Sequence, residues 1–494
     1  MENPVEKPNN NKVGNKPPVS AYLWLAGIMA IVFAVIYISL ILRVHFLSVR
    51  GGIIDMRKSE ELLLFAFIIL VLLGTLYMYV VFSRRELLFN IKEPAAILTV
   101  FTLVVTANIF LAYVSPYLMF VSLTSLLAFP FSKKRDAFVL NIFACLISSN
   151  VLLNTLSVEN YDSIVLTIAV GVMTGAVASY TLQNSMTRFS SIVRAFLTGA
   201  VMILGYFVLL SVFTLGFTMF NENIMYIGIA AAGQLLLTGV IVPLIENIFN
   251  ITTDFKLVEL TNHRAPLIKR LSTEAPGTFN HCQNVANLAE ICATAIGEDP
   301  YFARACAYYH DVGKLNNVTY FTENQGGGSN PHDELLPEVS AEIIRRHTTD
   351  GYDICRKYHI PEEVARITVQ HHGTLPITYF YNRAKSLTDS AVDVEEYRYH
   401  GETPTGKMGA IIMICDSAEA AIRAMDNPDG EKVDKLLKAM IDERLKYGQF
   451  DNCDITMCDL NTLRLAIVGA YGGLFHKRIK YDNAARGERS NAHV

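Results

Sequence analysis

The 494-residue chain has a single tryptophan, no C-x-x-C pair, no long Lys/Arg tract and no convincing run of alternating strand residues. Each absence excludes something. The eight cysteines are scattered, one before residue 250 and seven after residue 280, which points to reduced thiols rather than a disulfide framework or a zinc ribbon. A net charge of −4 without a basic tract excludes the phosphate-neutralising surface that polymeric nucleic acid requires. The long apolar runs of the first half contain no Asp, Glu, Lys, Arg or His. Transporters and proton relays need such residues inside the bilayer, so transport is disfavoured.

What is present is unevenly spread. Hydrophobic residues make up 51% of the chain and the mean hydropathy is +0.30. The apolar runs lie between residues 21 and 249, while most of the charge follows. A bilayer span needs about 20 mostly apolar residues. Eight candidates meet or approach that length: 21–42, 62–83, 95–115, 117–131, 138–156, 163–182, 195–217 and 224–245. The fourth is short and edged by proline. Residues 1–20 are polar and no small-residue cleavage site follows Ala21–Leu42, so that run is expected to be a retained anchor. An even number of spans places both termini on one side of the membrane. Loop charges choose the side. Arg84, Arg85, Lys92, Lys133, Lys134, Arg135, Arg188 and Arg194 fall in loops expected inside, whereas the loops around Glu159 and Glu222 carry no Lys or Arg. This positive-inside pattern puts the C-terminal half in the cytoplasm of a multi-pass membrane protein. The first outside loop, with Arg43, Arg50, Arg57 and Lys58, dissents. Trp24 suits an interfacial anchor. Gly171 and Gly175 form a G-x-x-x-G that allows close helix packing, within the chain or in a homodimer.

The expected architecture is all-α. A polytopic membrane domain occupies 21–249, a break falls at Asn250–Asp254, and a cytoplasmic all-α domain runs from 255 to about 480. A disordered tail is expected over 483–494. Helical periodicity in the second half is plain at Val285, Leu288, Ala289 and Cys292, and again at Ala410, Ile411, Ile414 and Ala418.

Eleven of the twelve histidines lie in this half. One alone is more often a packed or solvated side chain than a ligand. The His310-Asp311 doublet changes the weighing, because adjacent helix residues point about 100° apart and so suit a metal cluster at a helix end. An Asp can bridge two metals through its two oxygens, and two metals about 3.5–4 Å apart can clamp a phosphodiester and activate the attacking water.

Taken together, His281, then His310-Asp311 after a 28-residue interval, His347, His371-His372 and Asp416 resemble the H…HD…H…HH…D signature of HD-domain phosphohydrolases. The flanking segments are more specific: E-A-P-G-T at 274–278, H-D-V-G-K at 310–314, E-N-Q-G-G at 323–327, N-P-H-D at 330–333 and Q-H-H-G-T at 370–374. With the preceding spans they resemble the PgpH-type seven-transmembrane-receptor HD family, over residues 60 to 480. That resemblance implies a metal-dependent phosphodiesterase that hydrolyses cyclic di-AMP to pApA. It implies one metal held by His281, His310, Asp311 and Asp416, with Asp311 bridging to a second held by His347, His371 and His372. Imidazole and carboxylate ligands without Cys suit manganese or iron. Lys314 is a second catalytic candidate, placed to steady a phosphate oxygen. Arg345, Arg346, the Gly326–Gly328 run and His332 rank lower, and His263, His359, His400, His476 and His493 fit no ligand spacing.

One departure stands out. The family inserts a large extracytoplasmic domain between its first two spans, and here that interval is only about 43–61. Two other readings remain. One is a cyclic di-GMP phosphodiesterase, disfavoured because Gly373-Thr374-Leu375-Pro376 follows the His pair without a G-Y-P. The other is a membrane receptor that binds nucleotide without turnover.

Overall fold

A computed structural model describes residues 17–51, 57–153, 161–181, 187–213, 222–326 and 329–475. The expected tail, His476 and His493, the loop around Glu159 and most of the polar N-terminus lie outside the described residues. The chain divides into two compact units, at Lys256 and Leu257. Both are helical, and the described residues contain no strand beyond one isolated bridge between Pro376 and Arg398.

The first unit contains α1 (Val19–Gly51), α2 (Arg57–Ser83), α3 (Lys92–Val114), the short α4 (Leu123–Ala128), α5 (Lys134–Leu153), α6 (Tyr161–Tyr180), α7 (Arg188–Phe213) and α8 (Glu222–Phe249). Six of these, α1, α2, α3, α6, α7 and α8, are long and apolar enough to cross a membrane. The sequence alone suggests eight. The fifth candidate is helix α5, which begins Lys-Arg-Asp and carries Asn141, Ser148, Ser149 and Asn150, so its described residues are more polar than those of the other six.

The fourth candidate, 117–131, is not one continuous helix. A 3₁₀ turn at Pro116–Leu118 leads into α4, and a second at Phe129–Phe131 carries Pro130. Irregular backbone among apolar helices is tolerated only where protein satisfies its polar groups, and side-chain amides do so here. Asn108 Oδ1 accepts from Phe120 N (2.8 Å), Gln234 Oε1 from Ser122 N (3.1 Å) and Asn141 Oδ1 from Ser125 N (3.3 Å). The other end of Asn141 donates to the carbonyls of Val121 and Gly171, both at 3.0 Å. The interrupted segment still returns the chain to the end of the unit at which α3 begins, because Lys133 pairs with Glu86 and Asp136 with Arg84. Two of the loop charges move. Arg43 lies inside α1 and Arg194 inside α7, both buried, the latter over the Phe129 ring. Gly171 and Gly175 serve packing within the chain, since a Cβ on either would lie 2.5 Å from Cys145 Sγ or Asn141 Nδ2 of α5.

The connection breaks where expected. Asn250 adopts φ 49° after α8, and Thr253 Oγ1 accepts from Lys256 N at 3.3 Å to cap the next helix, α9 (Asp254–Leu260).

The second unit continues with α10 (Pro266–Glu274), α11 (Pro276–Ala295), α12 (Pro300–Tyr309), α13 (Pro337–Lys357), α14 (Glu362–Ala365), α15 (Ile367–Gln370), α16 (Thr378–Leu387), α17 (Lys407–Arg423), α18 (Gly430–Lys446) and α19 (Met457–Phe475). The periodic residues of α11 (Val285, Leu288, Ala289, Cys292) and of α17 (Ala410, Ile411, Ile414, Ala418) are all buried in one core. From Met408 to Asp416, α17 is buried on every side, which makes it the central helix of the unit. That core fixes α11, α12 and α17 against one another, and each carries part of the site.

Candidate metal centre

His281 projects from α11 and Asp416 from α17. His310 is the residue that ends α12, and Asp311 follows it outside helical geometry. His347 lies on α13, and His371-His372 follow directly after α15. The structure brings all seven together, although 135 positions separate His281 from Asp416. Asp311 Oδ2 faces His310 Nε2 (3.3 Å) and His281 Nε2 (3.6 Å), while its Oδ1 faces His347 Nε2 (3.4 Å) and His371 Nε2 (3.7 Å). Asp416 Oδ1 lies 2.9 Å from His281 Nε2 and 3.6 Å from His310 Nε2. Two groups result, His281/His310/Asp416 and His347/His371/His372, each close enough to hold one ion, with Asp311 between them.

The outward nitrogens are committed elsewhere. His310 Nδ1 donates to Ala307 O (2.7 Å), His347 Nδ1 to Ile344 O (2.5 Å) and His371 Nδ1 to Thr368 O (2.8 Å). This turns each Nε2 inward, the arrangement by which second partners orient metal-binding imidazoles. The donor set fits metal ions. His310 Nε2 and Asp311 Oδ1 are buried with no hydrogen-bond partner among the described residues, a costly condition unless a further ligand takes them. Cys282 Sγ, 3.9 Å from His310 Nδ1, forms a third such group with His310 and Asp311.

Electrostatics divide the centre in the same way. Burial holds His347, His371 and His372 below the ordinary imidazole range, His372 down to about 3, which keeps the rings neutral. Burial also opposes charge on His281, yet Asp416 and Glu419 outweigh it and raise that ring to about 9. Asp311 and Asp416 stay well below the usual carboxylate range. Burial works against both, but Lys314 and His310 hold the first ionised, and His281 and His310 the second.

Three participants escape a reading of the sequence. Glu419 Oε2 takes His281 Nδ1 at 2.5 Å and is itself held by Asn284 (3.1 Å). Its one signal is its place a helical turn after Asp416. Glu323 lies in a segment whose only mark in the sequence is the family resemblance. It accepts from Lys314 Nζ (2.8 Å) and Thr278 Oγ1 (3.0 Å), while Asn324 Oδ1 accepts from Gly277 N and Thr278 N at the start of α11. The E-A-P-G-T and E-N-Q-G-G segments therefore lock each other and set the helix that bears His281. Tyr399, stacked on His372, has no sequence signal at all.

Lys314 does not continue the helix of His310. It sits in a 3₁₀ turn, Val312–Asn316, nearly buried between Asp311 Oδ2 (2.7 Å) and Glu323. Arg345 is occupied by Glu342 and the Glu396 carbonyl, and His332 is packed against Phe380 and bonded to Tyr320 O. His263 packs on Phe279 and Tyr308.

Replacing Glu419 by Gln is expected to weaken metal binding about 10- to 100-fold, because the partner that orients His281 loses its charge. Titration with manganese under competition from a chelator measures this. Unchanged affinity would remove Glu419 from the centre's support.

Comparison with known proteins places this geometry. Residues 278–421 match the HD domain family profile, so the second unit contains an HD domain, a metal-dependent phosphohydrolase fold. Relatives narrow the class. The chain is 41% identical over 266 residues to the cyclic-di-AMP phosphodiesterase PgpH of Bacillus subtilis (strain 168), covering 53% of this chain and 37% of that protein. It is 38% identical over 312 residues to the PgpH of Listeria monocytogenes serotype 1/2a (strain 10403S), covering 63% and 43%. Among solved structures, it is 42% identical to the Listeria monocytogenes PgpH HD domain crystallised in complex with cyclic-di-AMP, covering 43% of this chain and 99% of that one, with a TM-score of 0.42. Through this half the chain is similar to the PgpH proteins, and it spans less than half the length of these curated relatives.

Proposed function

We propose that the protein is a membrane-anchored, two-metal phosphodiesterase that hydrolyses cyclic di-AMP to pApA, with its catalytic unit in the cytoplasm. One observation carries the reading: the two oxygens of Asp311 face two separate histidine groups. His281, His310, Asp416 and Asp311 would hold one divalent ion, and His347, His371, His372 and Asp311 the other, with manganese or iron suited to the ligand types. Such a pair supplies Lewis-acid polarisation of the phosphoryl group and a more acidic attacking water. The chain's own residues do the rest. Asp311 sets the spacing between the two groups. Glu419 fixes the ring of His281, and backbone carbonyls fix those of His310, His347 and His371. An ammonium has three donors. Asp311 and Glu323 take two from Lys314, leaving one for a phosphoryl oxygen of the substrate.

The substrate reading comes from the relatives, whose names specify cyclic di-AMP. The loop charges support the orientation. Lys133 pairs with Glu86, and Arg84 with Asp136, so the basic loops after α2 and before α5 share one end of the membrane unit. The full-length protein in detergent, loaded with manganese or iron, should convert cyclic di-AMP to pApA and leave cyclic di-GMP largely intact in a chromatographic assay. Turnover of cyclic di-GMP alone would overturn the substrate, and bound metal with no turnover of either would favour a nucleotide-binding receptor.

A further inference from the structure

Tyr399 lies at the mouth of the centre. The His372 side chain is 22% exposed, whereas the other four imidazoles are at most 4% exposed. The ring of Tyr399 covers it, with centroids 4.3 Å apart and planes inclined by 24°. His347 meets the same ring edge-on at 6.1 Å. Backbone bonds place it there. Ile377 N donates to Tyr397 O (2.7 Å), Tyr399 N to Leu375 O (3.0 Å), Gly401 N to Gly373 O (3.1 Å) and Glu402 N to Val369 O (3.1 Å). These bonds lay residues 397–402 along the segment that carries His371-His372, so the position of Tyr399 needs no side-chain bond.

Its hydroxyl is uncommitted. Tyr309, Tyr352 and Tyr397 each spend theirs on Leu260 O, Glu362 or Glu338. The Tyr399 hydroxyl has no hydrogen-bond partner among the described residues. The stacking of its ring on His372 and its edge contact with His347 put the phenol against two of the metal-facing imidazoles. A phenol is protonated at neutral pH and so is a donor.

We propose that Tyr399 contacts the substrate, its hydroxyl donating to a non-bridging oxygen of the scissile phosphodiester while its ring steadies His372. The contact rests on the phosphodiesterase reading above. Tyr399→Phe keeps the ring and removes the donor. In the full-length protein kcat/KM for cyclic di-AMP should fall about ten- to a hundredfold, the effect of losing a hydrogen bond to a charged group. Metal content and melting temperature should not change. Tyr399→Leu removes the ring as well and should also lower metal retention.

Both substitutions are read in parallel on bis(p-nitrophenyl) phosphate, a diester with no base. Wild-type kcat/KM for Tyr399→Phe on both substrates would overturn the contact, as would a fall fully matched by lost metal. If the wild-type protein cleaves the generic diester but no cyclic dinucleotide, the substrate assignment fails, and the Tyr399→Phe ratio on the generic diester decides the contact. If it cleaves neither, the phosphodiesterase reading fails and the contact with it.

Discussion

Asp311→Ala should lower turnover of cyclic di-AMP about a thousandfold while leaving the HD domain folded. Metal-ion stabilisation of a phosphoryl transition state is worth several kcal/mol, and each 1.36 kcal/mol is a factor of ten. Asp311 faces two histidines of each group, whereas Asp416 reaches the second group only at His372 (3.8 Å), so loss of Asp311 removes the main common ligand and the spacing between them. Folding should survive because Lys314, the cation it neutralises, keeps Glu323 at 2.8 Å. The ammonium is therefore not stranded in the interior. Each group also retains three ligands, so metal need not be lost. A manganese-loaded sample should then change from an exchange-coupled pair to two isolated ions by electron paramagnetic resonance. Near-wild-type turnover, or a signal still coupled, would rule out Asp311 as the bridge.

Much of this centre can be read from the chain because its residue types are improbable by chance. A His-Asp doublet, a His-His pair and the flanking glycine-bearing segments draw attention wherever they lie. The helices of the second unit are legible for a different reason, since the buried faces of α11 and α17 recur at three- and four-residue steps. What cannot be read depends on contacts between distant segments. Glu419 is an ordinary helix residue until α11 places His281 against it. Tyr399 is one tyrosine among many until backbone bonds lay its loop beside His372. Helical spacing puts Lys314 on the same face as His310, but helix α12 stops at Tyr309 and a tighter turn follows. In the membrane unit, hydropathy finds the long helices but does not show that 117–131 is interrupted by two 3₁₀ turns. An average over apolar residues takes no account of Asn108, Asn141 and Gln234, the amides that make an interrupted segment stable.

Close packing around the H-D-V-G-K segment leads to the second large effect. Gly313→Ala should destabilise the HD domain by about 3 kcal/mol or more, the upper end of what overpacking costs. A Cβ at this position would lie 1.9 Å from the His347 carbonyl oxygen and 2.5 Å from Gly351 N. Both are backbone atoms of α13, so no side chain can rotate away and the 3₁₀ turn must separate from the helix. Asp311 and Lys314 flank Gly313 on the turn, and His347 sits on the helix, so separation also pulls Asp311 Oδ1 away from His347 Nε2. Metal retention and thermal stability should therefore fall together. Gly430 begins α18, and a Cβ there would meet nothing within 4 Å, so Gly430→Ala should change stability by no more than about 0.5 kcal/mol. Thermal denaturation of the two variants beside the wild type separates the cases. A Gly313→Ala protein as stable as the Gly430→Ala control would mean that the turn and α13 are not in contact, and the placement of Asp311 between the two histidine groups would lose its support.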